Sequence, residues 1–124
     1  KKEYFEVYNR QKKGIYNLHG KKIVPALFDQ IEDLSDGWFY EGFWKVRQNN
    51  LKGIYNKEGK EILKPDYEEV TKSGKRYFIF QKNGLWGVFD KENEQFILQA
   101  KYRSIKALEP FEQNRDYFIV SNNG

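Results

Sequence analysis

The chain lacks Cys and Met altogether, and it contains one His and three Pro among its 124 residues. Without Cys it forms no disulfide, binds no zinc through thiolates and has no thiol nucleophile, while any redox compartment remains open to it. No apolar run reaches the length that a membrane-spanning helix needs. Because the first residue is Lys and no Met occurs, we expect a processed or excised piece whose targeting segment lies elsewhere.

Aromatic residues are abundant, at 18% of the chain, and charged residues make up 32%. Aromatic enrichment is typical of half-buried pleated surfaces and favours an all-β fold. The net charge is +4. The basic pairs, such as Lys12–Lys13 and Lys21–Lys22, lie beside predicted turns, where solvated Lys is ordinary. No arginine-rich groove accompanies them, so no nucleic-acid partner is expected.

An internal repeat organises the chain. Residues 14–31 read GIYNLHGKKIVPALFDQI, residues 53–70 read GIYNKEGKEILKPDYEEV, and residues 87–105 read GVFDKENEQFILQAKYRSI. The third copy needs one extra residue before Tyr102. A period of this length indicates a small supersecondary unit that buries its apolar face against its neighbours.

An apolar pair spaced by two precedes each of the three copies, and a fourth pair follows the last. The spacing predicts a strand that we call strand A. The four pairs are Phe5 and Val7, Trp44 and Val46, Phe78 and Phe80, and Phe118 and Val120. A two-residue connection follows the first three pairs. Asn49-Asn50 and Asn83-Gly84 suit a type I′ hairpin turn, whereas Arg10-Gln11 suits it poorly and predicts a different turn.

Strand B, which follows the turn, carries apolar residues on both faces and is therefore expected at the centre of a sheet. Gly14, Gly53 and Gly87 recur in it, which predicts that a neighbouring backbone or aromatic ring crosses them. Strand B ends in a turn opened by an Asn or Asp and closed by a left-handed residue. The openers and closers are Asn17 with Gly20, Asn56 with Gly59, and Asp90 with Asn93.

Strand C is expected to break near Pro25 and Pro65, and a short segment with an aromatic and an aliphatic residue follows it. The unit is therefore an antiparallel meander of three or four strands. We expect one all-β domain, with units at about 4–42, 43–76, 77–116 and a partial unit at 117–124. The units are expected to stack into an elongated array, with part of a β-propeller as the alternative.

The segment Asn83–Lys91, NGLWGVFDK, resembles the core of the WG-containing (KWG) repeat. The recurring glycines and the Asn or Asp turn openers resemble that family's pattern in all three copies. Its diagnostic Trp occurs at Trp86, while Lys13 and Lys52 stand in the other copies. The resemblance implies bacterial occurrence and a role in binding or scaffolding, and it implies no active site.

No residue pattern indicates catalysis, a cofactor or a metal. His19 occupies a turn position that Glu58 fills in the second copy, so we expect an exposed turn residue rather than a ligand. Asp66, Glu68 and Glu69 are close in sequence, and we interpret them as solvated loop charges. The glycines recur at the repeat spacing and form no phosphate loop. The sequence therefore predicts no enzyme.

The connector at residues 37–44, GWFYEGFW, holds five aromatic residues in eight positions. Trp44 belongs to the inward pair with Val46. Trp38, Phe39, Tyr40 and Phe43 are the candidate partner-binding residues, because the shared repeat core does not require them all. The alternative is that they cap a junction between repeats.

Three functions remain open at this point. The first is a protein-interaction or scaffolding module, in which the strand Tyr117–Ser121 is a candidate edge for strand addition or self-association. The second is binding of a carbohydrate or of the cell envelope through exposed aromatic rings. The third is a spacer beside a functional domain.

Overall fold

The computed structural model describes residues 4–35, 42–108 and 117–122. These residues form thirteen strands and no helix. The prediction of an all-β fold built from tandem β-meanders is confirmed. The strands are β1 Tyr4–Asn9, β2 Lys12–Asn17, β3 Lys22–Phe28, β4 Gln30–Asp33, β5 Phe43–Gln48, β6 Leu51–Asn56, β7 Glu61–Tyr67, β8 Glu69–Ser73, β9 Tyr77–Lys82, β10 Leu85–Asp90, β11 Gln95–Tyr102, β12 Ser104–Leu108 and β13 Tyr117–Ser121.

The strands form four sheets, in which neighbours follow one another along the chain. Sheet 1 contains β1–β3, sheet 2 contains β4–β7, sheet 3 contains β8–β11 and sheet 4 contains β12 and β13. Strand B is central in each of the first three sheets, as predicted. Among the described residues, sheets 2 and 3 have four strands each and sheet 1 has three.

Sheets 2, 3 and 4 each begin with a strand that we call the lead strand: β4, β8 and β12. The lead strand pairs antiparallel with the next strand A, so that Ile31 lies opposite Val46 and Val70 opposite Phe80. The aliphatic residue of the predicted short segment therefore belongs to the following sheet. The expected unit boundaries near residues 43 and 77 lie between the lead strand and strand A of one sheet.

The prediction that strand C breaks at its prolines is wrong. Strand β3 runs through Pro25 to Phe28, and β7 runs through Pro65 to Tyr67. Both strands lie at the edge of their sheets. An edge strand tolerates Pro, because one of its sides makes no ladder bonds that need the missing N–H.

The expectation of a different turn at Arg10-Gln11 is also wrong. Arg10 and Gln11 have φ values of 53° and 70°, and Asn49 and Asn50 have 54° and 66°. All three hairpins thus use positive φ at both central residues, as a type I′ turn requires. A two-residue connection matches the strand twist only in this form, so the tight hairpin imposes it on unsuitable residues.

The turn after the third strand B differs from the prediction. Glu94, with φ of 54°, is the left-handed residue there, and not Asn93. Phe89 pairs with Phe96, seven residues further along, whereas the equivalent Tyr16 pairs with Lys22, six residues further along, so the extra residue of the third copy lies in this turn. The longer turn moves the left-handed position one residue further along the chain.

The recurring glycines of strand B lie against a neighbouring backbone, as predicted. A Cβ on Gly53 would lie 2.5 Å from the carbonyl oxygen of Leu63 and 2.7 Å from the nitrogen of Pro65. At Gly14 the same test gives 2.6 Å to the carbonyl oxygen of Val24. The register of β3 on β2 shifts at this point, so the bulging strand C crosses closer to the glycine than a side chain allows.

The chain divides into two compact units, Lys1–Asp66 and Tyr67–Gly124. In the first, one face of sheet 1 packs on sheet 2 in a single core of Ile15, Ile23, Val24, Phe28, Trp44, Val46 and Tyr55. In the second, Phe78, Phe80, Val88 and Phe89 are buried. No helix in the described ranges is long and apolar enough to cross a membrane.

Candidate interaction surface

The predicted aromatic site is described only at one residue. Trp38, Phe39 and Tyr40 lie outside the described residues. Phe43 opens β5 opposite Asn56 and is partly buried, and its carbonyl oxygen accepts a hydrogen bond of 3.0 Å from Leu34. Trp44 beside it is buried in the core, as predicted. Partner binding by the four residues stays a prediction.

Two acidic residues each cap the A–B hairpin of the following sheet. The carboxylate of Glu68 accepts hydrogen bonds of 3.0 Å from the N–H groups of both Asn83 and Gly84. The carboxylate of Asp29 accepts one of 3.3 Å from Asn49 and pairs with the ammonium group of Lys12. Glu68, which lies between β7 and β8, is therefore a turn cap, a role that the sequence analysis did not predict.

These contacts set the charge state of both acids. The N–H groups of Gly84 and Asn83 lower the pKa of Glu68, because they stabilise its ionised form. The Lys12 hydrogen bond, followed by that from Asn49, lowers the pKa of Asp29. Both groups are ionised at neutral pH, which is the state that a structural cap needs and not that of an acid catalyst.

A third acid stabilises a turn inside its own sheet. Asp90 is 2% exposed, and its carboxylate receives bonds of 3.2 and 3.0 Å from the guanidinium of Arg76. It also accepts the N–H of Glu92 at 2.9 Å. Burial acts to raise the pKa of Asp90, but the bonds from Arg76, Asn93 and Glu92 outweigh it and hold the pKa below its usual value.

Sheet 1 turns an apolar face away from sheet 2, and we call it the outer face: Phe5, Val7 and Tyr16. Residues directly opposite in a ladder share a face, and Phe5 lies opposite Tyr16 as Trp44 lies opposite Tyr55. Phe5 is 57% exposed, whereas its equivalents Trp44 and Phe78 are 6% and 0% exposed. The same residue pattern is thus core in sheets 2 and 3 and surface in sheet 1.

Strand β1 is also an edge. Among the described residues it has β2 as its one neighbour in the sheet. The tight turn makes Asn9 and Lys12 the first hydrogen-bonded pair of the hairpin, and antiparallel ladders alternate. The backbone groups of Glu6 and Tyr8 therefore point away from β2, towards the side on which sheets 2 and 3 carry a lead strand.

The second unit exposes apolar side chains as well, at Phe96, Ile97, Ile119 and Val120. The ring of Phe96 still packs at 5.4 Å from that of Phe80 and at 5.0 Å from that of Phe89. Strand β13, the predicted free edge, pairs with β12, and among the described residues that is its one neighbour.

The described residues contain no group of three or more His, Cys, Asp or Glu that could hold a metal ion. His19 is an exposed turn residue, as predicted, and its N–H donates to Oδ1 of Asn17 at 2.9 Å. The sequence did not predict the outer face, because Phe5 and Val7 have the same spacing as the core pairs. No signal in the sequence of one unit distinguishes them from the core pairs.

Comparison with known proteins agrees with the repeat. The family model described as "WG containing repeat" matches residues 14–51, 53–86 and 86–124. No curated protein sequence matches the chain. Among solved structures, Hsv2 of Kluyveromyces lactis is similar at 15% identity and a TM-score of 0.44, over 78% of this chain and 32% of that one. With all three repeats matched by the family model, the chain belongs to the WG-containing repeat family.

Proposed function

We propose that the chain is a non-catalytic interaction module that binds a protein partner at the outer face of sheet 1. The observation that carries this proposal is the exposure of Phe5, whose counterparts Trp44 and Phe78 are buried. When a partner covers a sheet face with the composition of a core, the burial stabilises the complex by about 25 cal/mol per Å² of apolar area. Repeat proteins of this kind bind through such extended surfaces.

The state of the acidic residues supports a non-catalytic role. Asp29, Glu68 and Asp90 all have pKa values below their ordinary range, and each bonds to turn amides or to a cation. A general acid near neutral pH needs the opposite shift. These carboxylates therefore have structural roles that account for their positions.

Carbohydrate or cell-envelope binding is the second candidate, and the exposed rings of Phe5 and Tyr8 are the observation in its favour. The two residues are three apart on one strand, so they lie on opposite faces of sheet 1. They do not form one platform for a sugar ring. A protein partner, which can cover a whole sheet face, suits the outer face better.

The test is affinity capture from lysate and envelope extracts of the source organism, followed by reconstitution with the purified partner. The baits are the wild-type chain, Phe5→Ser and, as matched control, Tyr8→Ser, which removes an equally exposed ring from the other face of β1. We expect a protein that binds the wild type and Tyr8→Ser but loses at least tenfold in affinity for Phe5→Ser.

A Trp38→Ala/Phe43→Ala bait tests the connector in the same experiment. Loss of the partner with this bait alone would move the binding site to the connector. Equal capture by every bait would contradict both sites. Capture of nothing would support the spacer function, and a Trp fluorescence change on adding glycans would support the carbohydrate candidate.

A further inference from the structure

The lead strands of sheets 2 and 3 share a short motif, an acid followed by any residue and an aliphatic residue. The motif is Asp29-Gln30-Ile31 before β5 and Glu68-Glu69-Val70 before β9. In both, the aliphatic residue lies opposite the central apolar residue of strand A, which is Val46 or Phe80. The motif is therefore the part of the lead strand that joins it to the sheet.

The acid of the motif bonds to the sheet twice. Its backbone N–H donates to the residue after the central apolar one, at 2.8 Å from Asp29 to the carbonyl of Arg47 and at 2.9 Å from Glu68 to that of Gln81. Its carboxylate accepts N–H groups of the A–B turn, as described above for Asn49, Asn83 and Gly84. A single residue thus fixes both the register of the lead strand and the turn.

The edge of sheet 1 presents the receiving half of the same arrangement. Val7 occupies the position of Val46 and is partly buried, while Tyr8 corresponds to Arg47 and its carbonyl points away from β2. The turn at Arg10 and Gln11 has the same positive φ values as the turns that the acids cap. Its amides therefore have the same arrangement as the turn amides that bind a carboxylate in sheets 2 and 3.

Charge favours an acidic occupant at this edge in particular. The turn of sheet 1 contains Arg10, whereas the turns of sheets 2 and 3 contain Asn49-Asn50 and Asn83-Gly84. An exposed guanidinium beside the turn amides stabilises a carboxylate that caps them. The third copy shows that the backbone bond alone tolerates other residues, since the N–H of Arg103 donates to the carbonyl of Ser121 at 2.6 Å.

We propose that β1 binds an extended segment with the motif Asp or Glu, any residue, Ile or Val, which adds antiparallel as a fourth strand of sheet 1. The aliphatic residue lies opposite Val7, the acid donates its N–H to Tyr8, and its carboxylate caps the turn at Arg10 and Gln11. Recognition is by strand addition, in which backbone bonds supply affinity and the motif supplies specificity. This inference rests on the proposed function and specifies the chemistry of the partner.

The test uses a labelled peptide with the sequence of residues 26–34, ALFDQIEDL. Its affinity for the whole chain is measured by fluorescence anisotropy. We expect saturable binding, weakened about fivefold to tenfold by an Asp→Asn change in the peptide, in line with loss of a charge-assisted hydrogen bond. A scrambled peptide of the same composition should not bind.

Two protein variants locate the binding edge. Glu6→Pro removes an N–H that points away from β2, so the sheet keeps its own ladder while strand addition is blocked. Glu6→Gln keeps that N–H and is the matched control. We expect at least tenfold weaker binding to Glu6→Pro and less than a twofold change for Glu6→Gln, with circular dichroism confirming that both variants keep the fold.

Amide hydrogen exchange of the wild-type chain gives a second measurement that needs no variant. The bound peptide should protect the amides of Glu6, Tyr8 and the Arg10-Gln11 turn. Absence of peptide binding, or binding that neither protects these amides nor responds to Glu6→Pro, would overturn the proposal. If a captured partner still depends on Phe5 in that case, the interaction module stands and strand addition alone fails.

Discussion

The carboxylate of Glu68 lies 3.0 Å from the backbone nitrogen of Gly84, sixteen residues further along the chain. This bond ties the start of sheet 3 to the hairpin turn between its second and third strands. Asp29 and Asn49 repeat the relationship in sheet 2 at 3.3 Å. The A–B hairpin of each four-stranded sheet is thus closed by an acid that precedes the sheet's first strand.

Low pH should weaken the closure of the hairpin by Glu68. The pKa of Glu68 is lower in the folded chain than in the unfolded chain, so the stability it adds is present above the ordinary Glu pKa of about 4.3 and is lost as pH falls through the lowered value. Urea unfolding between pH 7 and pH 3 measures this. We expect Glu68→Gln to be less stable than the wild type at pH 7 and the difference to vanish at the acidic end. A difference that grows on acidification would contradict the cap.

Substitutions in the hairpin turn of sheet 1 should stabilise the folded chain. Arg10 and Gln11 both adopt positive φ, which costs an ordinary residue about 1 kcal/mol or more. Replacing them by Asn-Gly, which tolerates that geometry, should raise the free energy of unfolding by about 1–2 kcal/mol in urea titrations. The same replacement at Asn49-Asn50 is the control and should gain less. Destabilisation by the first replacement would mean that Arg10 makes contacts that outweigh its strain.

Substitution of Gly53 should destabilise the chain more than substitution of Gly20. A Cβ at Gly53 would clash with the backbone of Leu63 and Pro65, so Gly53→Ala should cost about 3 kcal/mol. Gly20, with φ of +82° and open space around it, should lose about 1 kcal/mol on change to Ala. Thermal and urea unfolding of the two variants compare them directly. Equal losses would contradict this, because they would show that the backbone of strand C moves aside for a Cβ at Gly53 at little cost.

The buried carboxylate of Asp90 has two separable contributions. Asp90→Asn keeps an acceptor for the N–H of Glu92, as Asn56 does for Glu58 at 3.0 Å, but it loses the ion pair with Arg76. We expect a loss of about 1 kcal/mol for Asp90→Asn and about 2–3 kcal/mol for Asp90→Ala, which also leaves the N–H of Glu92 without its acceptor. If Asp90→Asn proves as damaging as Asp90→Ala, the ion pair rather than the turn cap dominates.

Local patterns predicted much of this fold. The spacing of Trp44 and Val46 placed strand A and its buried face, and the apolar residues on both faces of strand B placed it at the sheet centre. The turns at Arg10-Gln11 and Glu94 were missed, because strand twist and loop length decided their conformation against the preference of the residues. Propensity is a local quantity, and the constraint came from the paired strands.

The candidate site was less predictable, for a different reason. The bond from Gly84 to Glu68 joins residues that no short-range pattern connects, so Glu68 resembled an ordinary solvated charge. Phe5 and Val7 have the same spacing as the core pairs, and what differs is how far the folded chain exposes them. Exposure of a repeated face is a property of the assembled sheets and is absent from the pattern of one unit.

The most direct test of the interaction module is amide hydrogen exchange of the chain alone and bound to the partner that capture recovers. We expect protection to appear in β1, Tyr4–Asn9, and in the turn at Arg10 and Gln11, while β6, Leu51–Asn56, which is already largely buried, changes little. Protection that leaves β1 unchanged and appears instead at Phe43 and the connector before it would contradict the account. That result would place binding at the aromatic connector.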